Sequence, residues 1–412
     1  MDFDLPAEDD PRRIAVREWL AEHPNPSNAD LHAAGYVVPH WPAPYGLGAS
    51  PIEQLIIDDE LRRAGVGRTA GAVNAIGIGW AAPTILLAGS DWQKERFLDP
   101  IFRADEIWCQ LFSEPDAGSD LASLSMRAER DGDEYVINGS KIWSSGAHRS
   151  QFGILIARTN TDAPKHKGLS YFILPMDLPG VTLQPIIDMT TAHSFNQTFL
   201  DNVRLPAKYR VGEEGDGWRL AKVTLANERV SLSSGGSLWG AGPSADDLLD
   251  LVRTNGGLTD PFSRQAAARL YCEAEVLRLG RLRTLSARLQ GRTPGPEASV
   301  QKILGDEHGQ HVMEFAKALA GADGMLSGSG PAGTLRPGAG IGPTEVRRHE
   351  QFADVDPIWH YGYLFAPALT VGGGTFAVQR NIVAEHVLGL PREPDVERGL
   401  TWKETRNRGP AA

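Results

Sequence analysis

The chain is 412 residues long, 41% hydrophobic and 23% charged, with a formal net charge of −11. Single cores stop growing near ~250–300 residues, so several subdomains are expected, and no apolar run approaches the ~20 residues of a membrane span. The acidic balance argues against nucleic acid, which needs clustered cations; the dense basic patches, Arg278 to Arg283 and Arg347-Arg348, read as solvated helix faces or phosphate contacts.

The start, MDFDLPAEDDPRR, lacks the basic and apolar stretches of a secretory signal, which makes the cytoplasm the expected compartment. From Pro11 to about Arg103, apolar residues recur three and four apart in VREWLAEH and PIEQLIIDDELRRAG, predicting a helical layer. WPAPYGLGAS, Trp41 to Ser50, reads as an ordered loop between helices. After Glu106 come short β-rich runs, EYVING, QFGILIART, LSYFILPM, VTLQPI and TFLDNVRL, separated by turn signals such as DGD, KHKG and LPG.

From Trp218 long helical patterns return, in WRLAKVTLANERVSLSSGG, SRQAAARLYCEAEVLRLGRLRTLSARLQG and ASVQKILGDEHGQHVMEFAKALAG. The final candidate, FAVQRNIVAEHVLG, is capped by Gly389 and stopped by Pro391. The Gly/Pro-rich section Gly321 to Pro343 has no strand before it and no Lys-Ser/Thr after it, so it reads as a connection and not a phosphate loop. The tail after Arg392 reads as a surface extension. Helices, strands and helices in that order predict an α+β chain whose two helical parts pack as one bundle, with domains at 1–105, 106–217 and 218–412. Cys109 and Cys272 lie in no CxxC or His/Cys cluster, so both read as structural and no metal site is expected.

Two segments carry chemistry: SEPDAGSD, Ser113 to Asp120, and KIWSSGA, Lys141 to Ala147. A glycine-containing turn with backbone N–H groups, hydroxyls at Ser113, Ser119 and Ser145, and the aromatic Trp143 could hold a flat, polar-edged ring against a strand. A Ser/Gly turn alone is usually only a turn. In this order and context the two segments resemble the flavin- and thioester-binding segments of the acyl-CoA dehydrogenases. The resemblance extends over most of the chain, through WPAPYG, GSDWQKERFLDPIFRADEIW, VGEEGDGW and QRNIVAEHVLGLPRE.

That resemblance implies an N-terminal helical domain, a central β domain and a C-terminal four-helix-bundle domain. It implies FAD as cofactor, an acyl-CoA substrate and an electron-transfer flavoprotein as electron acceptor. Carried over residue by residue, Ser113 donates to flavin N5, Trp143 lies against the ring, Ser145 meets its pyrimidine edge, and Phe112, Ser119 and Thr375 join the flavin contacts. Ser119 faces the thioester. The implied reaction removes the α-proton with a carboxylate while the β-hydrogen leaves as hydride to flavin N5.

An α-proton beside a thioester is far less acidic than a carboxylic acid, so donors must polarise the carbonyl as the base acts. In much of the family the base is a Glu just before Gly-Thr; here VGGGTFAVQRN has Gly373 at that position. A second family pattern, resembling the isovaleryl and long-chain branches, has the Glu on the first helix after the β domain, immediately before an Arg. NERV supplies Glu228 and Arg229, making Glu228 the expected base; the alternative is an exposed helix-surface Glu. Helix neighbours diverge by ~100°, so Arg229 is expected to position substrate. Gly373 keeps a backbone N–H for the thioester oxygen and opens volume beside the acyl chain.

The residues by which a neighbouring subunit completes the family's FAD site match poorly at DPFSRQAAARLY and GADGMLSGSG, and Ala377 stands where many relatives have Gln. NERV together with GGGT resembles the heteromeric acyl-CoA dehydrogenases of steroid side-chain degradation in actinobacteria. This implies the base-bearing subunit of an α2β2 complex with a paralogous partner, or otherwise a homo-oligomer, acting on a bulky or branched acyl group. An acyl-CoA oxidase or flavin monooxygenase on the same fold, and a non-catalytic assembly subunit, remain as alternatives.

Overall fold

The computed structural model describes residues 6–66, 74–232, 237–238, 242–255, 257–289, 295–321 and 357–407. The Gly/Pro-rich stretch 322–343 and the Arg347-Arg348 patch lie outside the described residues. The fold is α+β, with a helical N-terminal part, a middle β-sheet and a helical C-terminal part in chain order. It divides into two compact units: residues 1–72 with 229–390, and residues 73–228 with 391–412.

The first unit opens with α1 (Pro11–Glu22), α2 (Asn28–Ala33) and α3 (Pro51–Arg63). Ser50 starts α3 through a capping box with Glu53, and Pro51 occupies the first turn, where its missing N–H costs nothing. Arg13 of α1 is fully buried and pairs with Asp59 of α3 at 2.7 Å, and with Glu60, which ties the two helices together. The Trp41–Ser50 stretch is an ordered loop: amides of Leu47 and Ala49 donate to Pro39 O, and that of Gly46 to Pro42 O.

The second unit begins with α4 (Ala82–Ala88) and α5 (Asp91–Phe102), the latter capped by a Ser90–Gln93 box. Eight strands follow: β1 (Trp108–Leu111), β2 (Arg127–Asp131), β3 (Glu134–Lys141), β4 (Phe152–Arg158), β5 (Leu169–Pro175), β6 (Val181–Ile187), β7 (His193–Pro206) and β8 (Arg210–Val211). They form one sheet in the order β6-β7-β3-β2-β4-β5-β8, with β1 added parallel to β4. Every residue of β4 is buried, whereas β3 alternates in the manner of a half-buried strand. The core holds Tyr135, Ile137, Leu155, Phe172, Leu174 and Leu205.

The β3–β7 register shifts between Ile137 and Gly139, where Asn138 opposes both Asp201 and Asn202 of β7; Gly139 beside this bulge has a φ of 143°, which suits only glycine, and an added Cβ would lie 3.0 Å from Met126 Cα. All five strands expected from the sequence are present. β1, β2 and β8 are additions to that reading.

Helix α6 (Gly217–Leu232) follows β8 and is continuous across the boundary of the two units, which falls between Glu228 and Arg229. Leu220, Thr224 and Glu228 recur every fourth residue and are all buried, which defines one inward face. In the first unit come α7 (Ala245–Thr254), α8 (Pro261–Leu289), α9 (Ala298–Leu319), α10 (Pro357–Phe365) and α11 (Phe376–Ile382). α9 packs on α8, α10 and α11 through a stripe at Lys302, Asp306, Gly309, Met313 and Ala316. α11 widens at its end into a π turn, Val383–Val387, followed by Gly389 at φ 67°.

One expectation fails. The segment after Arg392 is no mere surface extension: α12 (Trp402–Asn407) belongs to the sheet-containing unit, and Trp402 is only 7% exposed. Its indole covers the buried Arg158 guanidinium at 4.6 Å, a contact that charge and proline content along the chain do not reveal.

Candidate active site

In the sheet unit, β1 runs directly into SEPDAGSD. The turn closes on itself, with Glu114 N–H donating to Ala117 O and Ala117 N–H to Glu114 O, both at 3.0 Å. Glu114 is 6% exposed and accepts from Ser125 N–H at 2.7 Å, Met126 N–H at 3.0 Å and Lys141 Nζ at 2.9 Å. Lys141, fully buried at the end of β3, also donates to Phe112 O at 2.9 Å. Burial pulls the Lys141 ammonium down, and would lift the Glu114 carboxyl if Lys141 and the two amides did not more than offset it and hold it below the usual range. Thus the two segments read as separate motifs are joined by a buried ion pair, reinforced where Ile142 N–H donates to Ser113 O at 2.9 Å.

Just past this pair stands Trp143. Its φ is 59°, a left-handed conformation costly for a bulky residue, and 56% of its surface is exposed. Phe195 supports it edge-on, with centroids 5.7 Å apart. Ser113 and Ser145 are half-buried, Phe112 is buried, and Ser119 is exposed. Ser144, between Trp143 and Ser145, is structural: its hydroxyl accepts from Thr198 Oγ1 at 3.1 Å, and its backbone pairs with Asn196.

Glu228 is 6% exposed, so it does not lie on a solvent-facing helix surface. One turn earlier on the same face, Thr224 Oγ1 lies 2.9 Å from Thr84 Oγ1 and 3.0 Å from Tyr171 Oη. Tyr171 in turn meets Phe112 edge-on at 5.9 Å. Gln110 of β1 donates from Nε2 to Glu228 Oε2 at 3.4 Å. The carboxylate is therefore beside the strand that leads into Phe112 and Ser113. Gln110, Glu114 and Lys141 escaped the sequence reading; the last two stood inside the quoted motifs, but Gln110 had no local signal.

The remaining expected residues belong to the other unit. Gly373 has φ 67° and Gly374 φ 89°, both left-handed. The turn that carries them is held at its carbonyls: Gln379 Nε2 donates to Gly373 O at 3.0 Å, Lys302 Nζ to Leu369 O at 3.2 Å, and Gln310 Nε2 to Ala366 O at 3.2 Å. Thr375 caps α11, its Oγ1 accepting from Val378 N–H at 3.3 Å. The Arg229 side chain lies outside the described residues.

Cys109 is fully buried with its thiol pushed up to about 12 by burial, and Cys272 is exposed. Among the described residues, no His, Cys, Asp or Glu cluster could hold a metal ion and no helix is long and apolar enough to cross a membrane.

Three family models match the chain: acyl-CoA dehydrogenase N-terminal domain over residues 10–105, middle domain over 109–203 and C-terminal domain over 215–388. The chain is 37% identical over 379 residues to acyl-CoA dehydrogenase FadE34 of Mycobacterium tuberculosis, covering 92% of this chain but only 48% of that relative, about half its length. It is 36% identical over 367 residues to acyl-CoA dehydrogenase IpdE1 of the same organism, covering 89% of this chain and 88% of that one. Among solved structures it is similar to the Tcur3481-Tcur3483 steroid ACAD, with a TM-score of 0.74 at 29% identity over 95% of this chain and 100% of that one. A chain of the ChsE4-ChsE5 complex from Mycobacterium tuberculosis matches with a TM-score of 0.72 at 29% identity and the same coverages, 95% and 100%.

Proposed function

This chain belongs to the acyl-CoA dehydrogenase family of flavin oxidoreductases, and from that premise we propose that it removes hydrogens from Cα and Cβ of an acyl-CoA thioester with Glu228 as the base. The observation that carries this reading is the setting of Glu228: a carboxylate 6% exposed on the inward face of α6, held by Gln110 on the strand that leads into Ser113. A helix-surface Glu would have neither the burial nor that partner.

The residues present fit FAD. Trp143 is an exposed aromatic residue in a strained, supported backbone, with the half-buried Ser145 two residues on and the half-buried Ser113 bonded through its carbonyl to the preceding Ile142 amide. Phe112, Ser113, Trp143, Ser145 and Thr375 would hold the cofactor, with Ser119 and Arg229 toward the substrate. When bound, FAD supplies the hydride acceptor for the β-hydrogen. Glu228 takes the α-proton, and the Gln110 amide lies 3.4 Å from its carboxylate as a donor. The Gly373 N–H is the donor assigned to the thioester oxygen.

The test is Glu228→Gln in flavin-loaded protein. Loss of a positioned base is expected to lower turnover by about 10²–10⁴-fold with the bound-flavin spectrum unchanged. Turnover within twofold of the parent would remove Glu228 from this role.

The finer reading is the base-bearing subunit of a heteromer acting on a bulky or branched acyl group such as a steroid side chain, with an electron-transfer flavoprotein as acceptor. It is supported by likeness to chains of two-component assemblies, one of them titled a steroid ACAD, and by the absence of a side chain at Gly373. Expression alone tests the partner requirement: a stable homomer with full FAD occupancy and good activity would defeat it.

A further inference from the structure

Residues 391–407 follow the last residue matched by the family's C-terminal model, 388, and group with the sheet unit, not with residues 229–390 that precede them. Their contacts gather on two loops at the end of β4. On one loop, Trp402 N–H donates to Ala163 O at 2.9 Å, Lys403 N–H to Thr161 O at 3.2 Å, and Lys403 Nζ pairs with Asp162 at 2.9 Å. The other is the turn that follows Ser119.

That turn, Asp120 to Met126, is gripped from opposite sides by opposite charges. Glu114 accepts the Ser125 and Met126 amides. The carbonyls face cations and donors: Arg158 donates to Ala122 O at 2.7 Å and Leu124 O at 3.1 Å, while Arg406 Nη2 and Trp402 Nε1 donate to Ser123 O at 2.8 and 3.3 Å. Lys165 links the Asp120 carboxylate at 3.0 Å to Glu397 at 2.6 Å. Arg158 is 1% exposed, and burial pulls its guanidinium down to about 10 against the opposing Glu114 charge; it also donates to a third carbonyl, Lys165 O at 3.2 Å, and the Trp402 ring covers it at 4.6 Å. Removing that ring would let water reach Arg158 and loosen its hold on the turn.

We propose that residues 391–407 form a strap, with Trp402 as its positioning residue, that fixes the Asp120–Met126 turn in the shape needed to receive the coenzyme A portion of the substrate. This rests on the reading of Ser119 as a substrate-side residue. Besides its bonds to the 161–163 loop, the segment places two side-chain donors, Trp402 Nε1 and Arg406 Nη2, on a single carbonyl of that turn, Ser123 O, and covers with the Trp402 ring the Arg158 that bonds the carbonyls on either side of it.

The test compares Trp402→Ala with Trp402→Phe in the flavin-loaded protein as purified, using free coenzyme A as the probe. Trp402→Ala is expected to speed amide exchange at Ser123 to Met126 about tenfold, leaving β5 unchanged, and to weaken coenzyme A binding by calorimetry about tenfold. Trp402→Phe, which keeps a ring over Arg158 and loses one indole donor, should restore most of both. The proposal is overturned if exchange in the turn is unaltered, if it rises without any change in coenzyme A affinity, or if protection falls across the whole sheet. The base assignment is judged separately: if Glu228→Gln retains turnover while Trp402→Ala behaves as described, the catalytic reading fails and the strap stands.

Discussion

Glu114→Gln should be among the most disruptive conservative substitutions in the sheet unit. The carboxylate accepts from Lys141 at 2.9 Å and from the Ser125 and Met126 amides at 2.7 and 3.0 Å, and Lys141 is fully buried. A glutamine keeps one acceptor oxygen but turns an NH2 group toward donors, and leaves a buried ammonium without a counter-charge. Breaking a buried pair from one side costs about 3–5 kcal/mol, which corresponds to roughly 10²–10⁴-fold faster exchange of the Ser125 and Met126 amides. Lys141→Met should cost less, about 1.5–3 kcal/mol, because Glu114 keeps its two amides and the Ser125 hydroxyl. The double substitution should fall short of the sum by about 0.5–3 kcal/mol.

The pH dependence has a definite sign. The folded Glu114 carboxyl is held below its ordinary value, so its stabilisation is complete above the unfolded value of about 4.3 and is lost as pH falls through the lower, folded value. The gap between parent and Glu114→Gln should therefore narrow from about pH 4.3 downward. Amide exchange measured at several pH values decides it. A gap under tenfold at neutral pH, or one that widens on acidification, would refute the role given to this pair.

Other consequences are simpler to check. In native protein an alkylating reagent at mildly alkaline pH should label the exposed Cys272 and spare Cys109, whose thiol is pushed up to about 12; labelling of both before denaturation would contradict the burial. Thr224→Val should destabilise more than Tyr171→Phe, by about 1–3 against about 1 kcal/mol, because it leaves the buried Tyr171 hydroxyl without its 3.0 Å partner; unfolding midpoints in urea give the order. Gly139→Ala should cost about 1–3 kcal/mol by forcing a Cβ to 3.0 Å from Met126 Cα at a φ of 143°, and a neutral result would mean the bulge relaxes freely.

The strands that could be read from the sequence are those whose burial is written in composition, such as FGILIAR of β4, in which every residue is buried. β2 could not: in RAERD only Ala128 is buried, so a solvated strand looks like a charged loop. β1 is four residues long, too short for a period to emerge. At the site, the position of Glu228 on a helix was legible from NERV, but its contact with Gln110, 118 residues away in the chain, was not. Glu114 and Lys141 were in plain view inside the motifs, yet spacing along a chain does not say that two charges face each other. Trp402 was missed for the same reason: its partner, Arg158, lies on β4.

The backbone at Gly373 bears on how this chain could change over generations. At φ 67° the position lies in the left-handed region, which costs a side-chain-bearing residue about 1–2 kcal/mol. A Gly373→Glu substitution would thus be penalised by conformation before its carboxylate could compete as a base, and Gly374 at φ 89° extends the barrier to its neighbour. A carboxylate placed beside Gly-Thr would meet a turn held in this shape by the bond from Gln379 Nε2 to the Gly373 carbonyl. On the proposed reading of Glu228 as the base, this turn therefore disfavours a competing carboxylate at position 373.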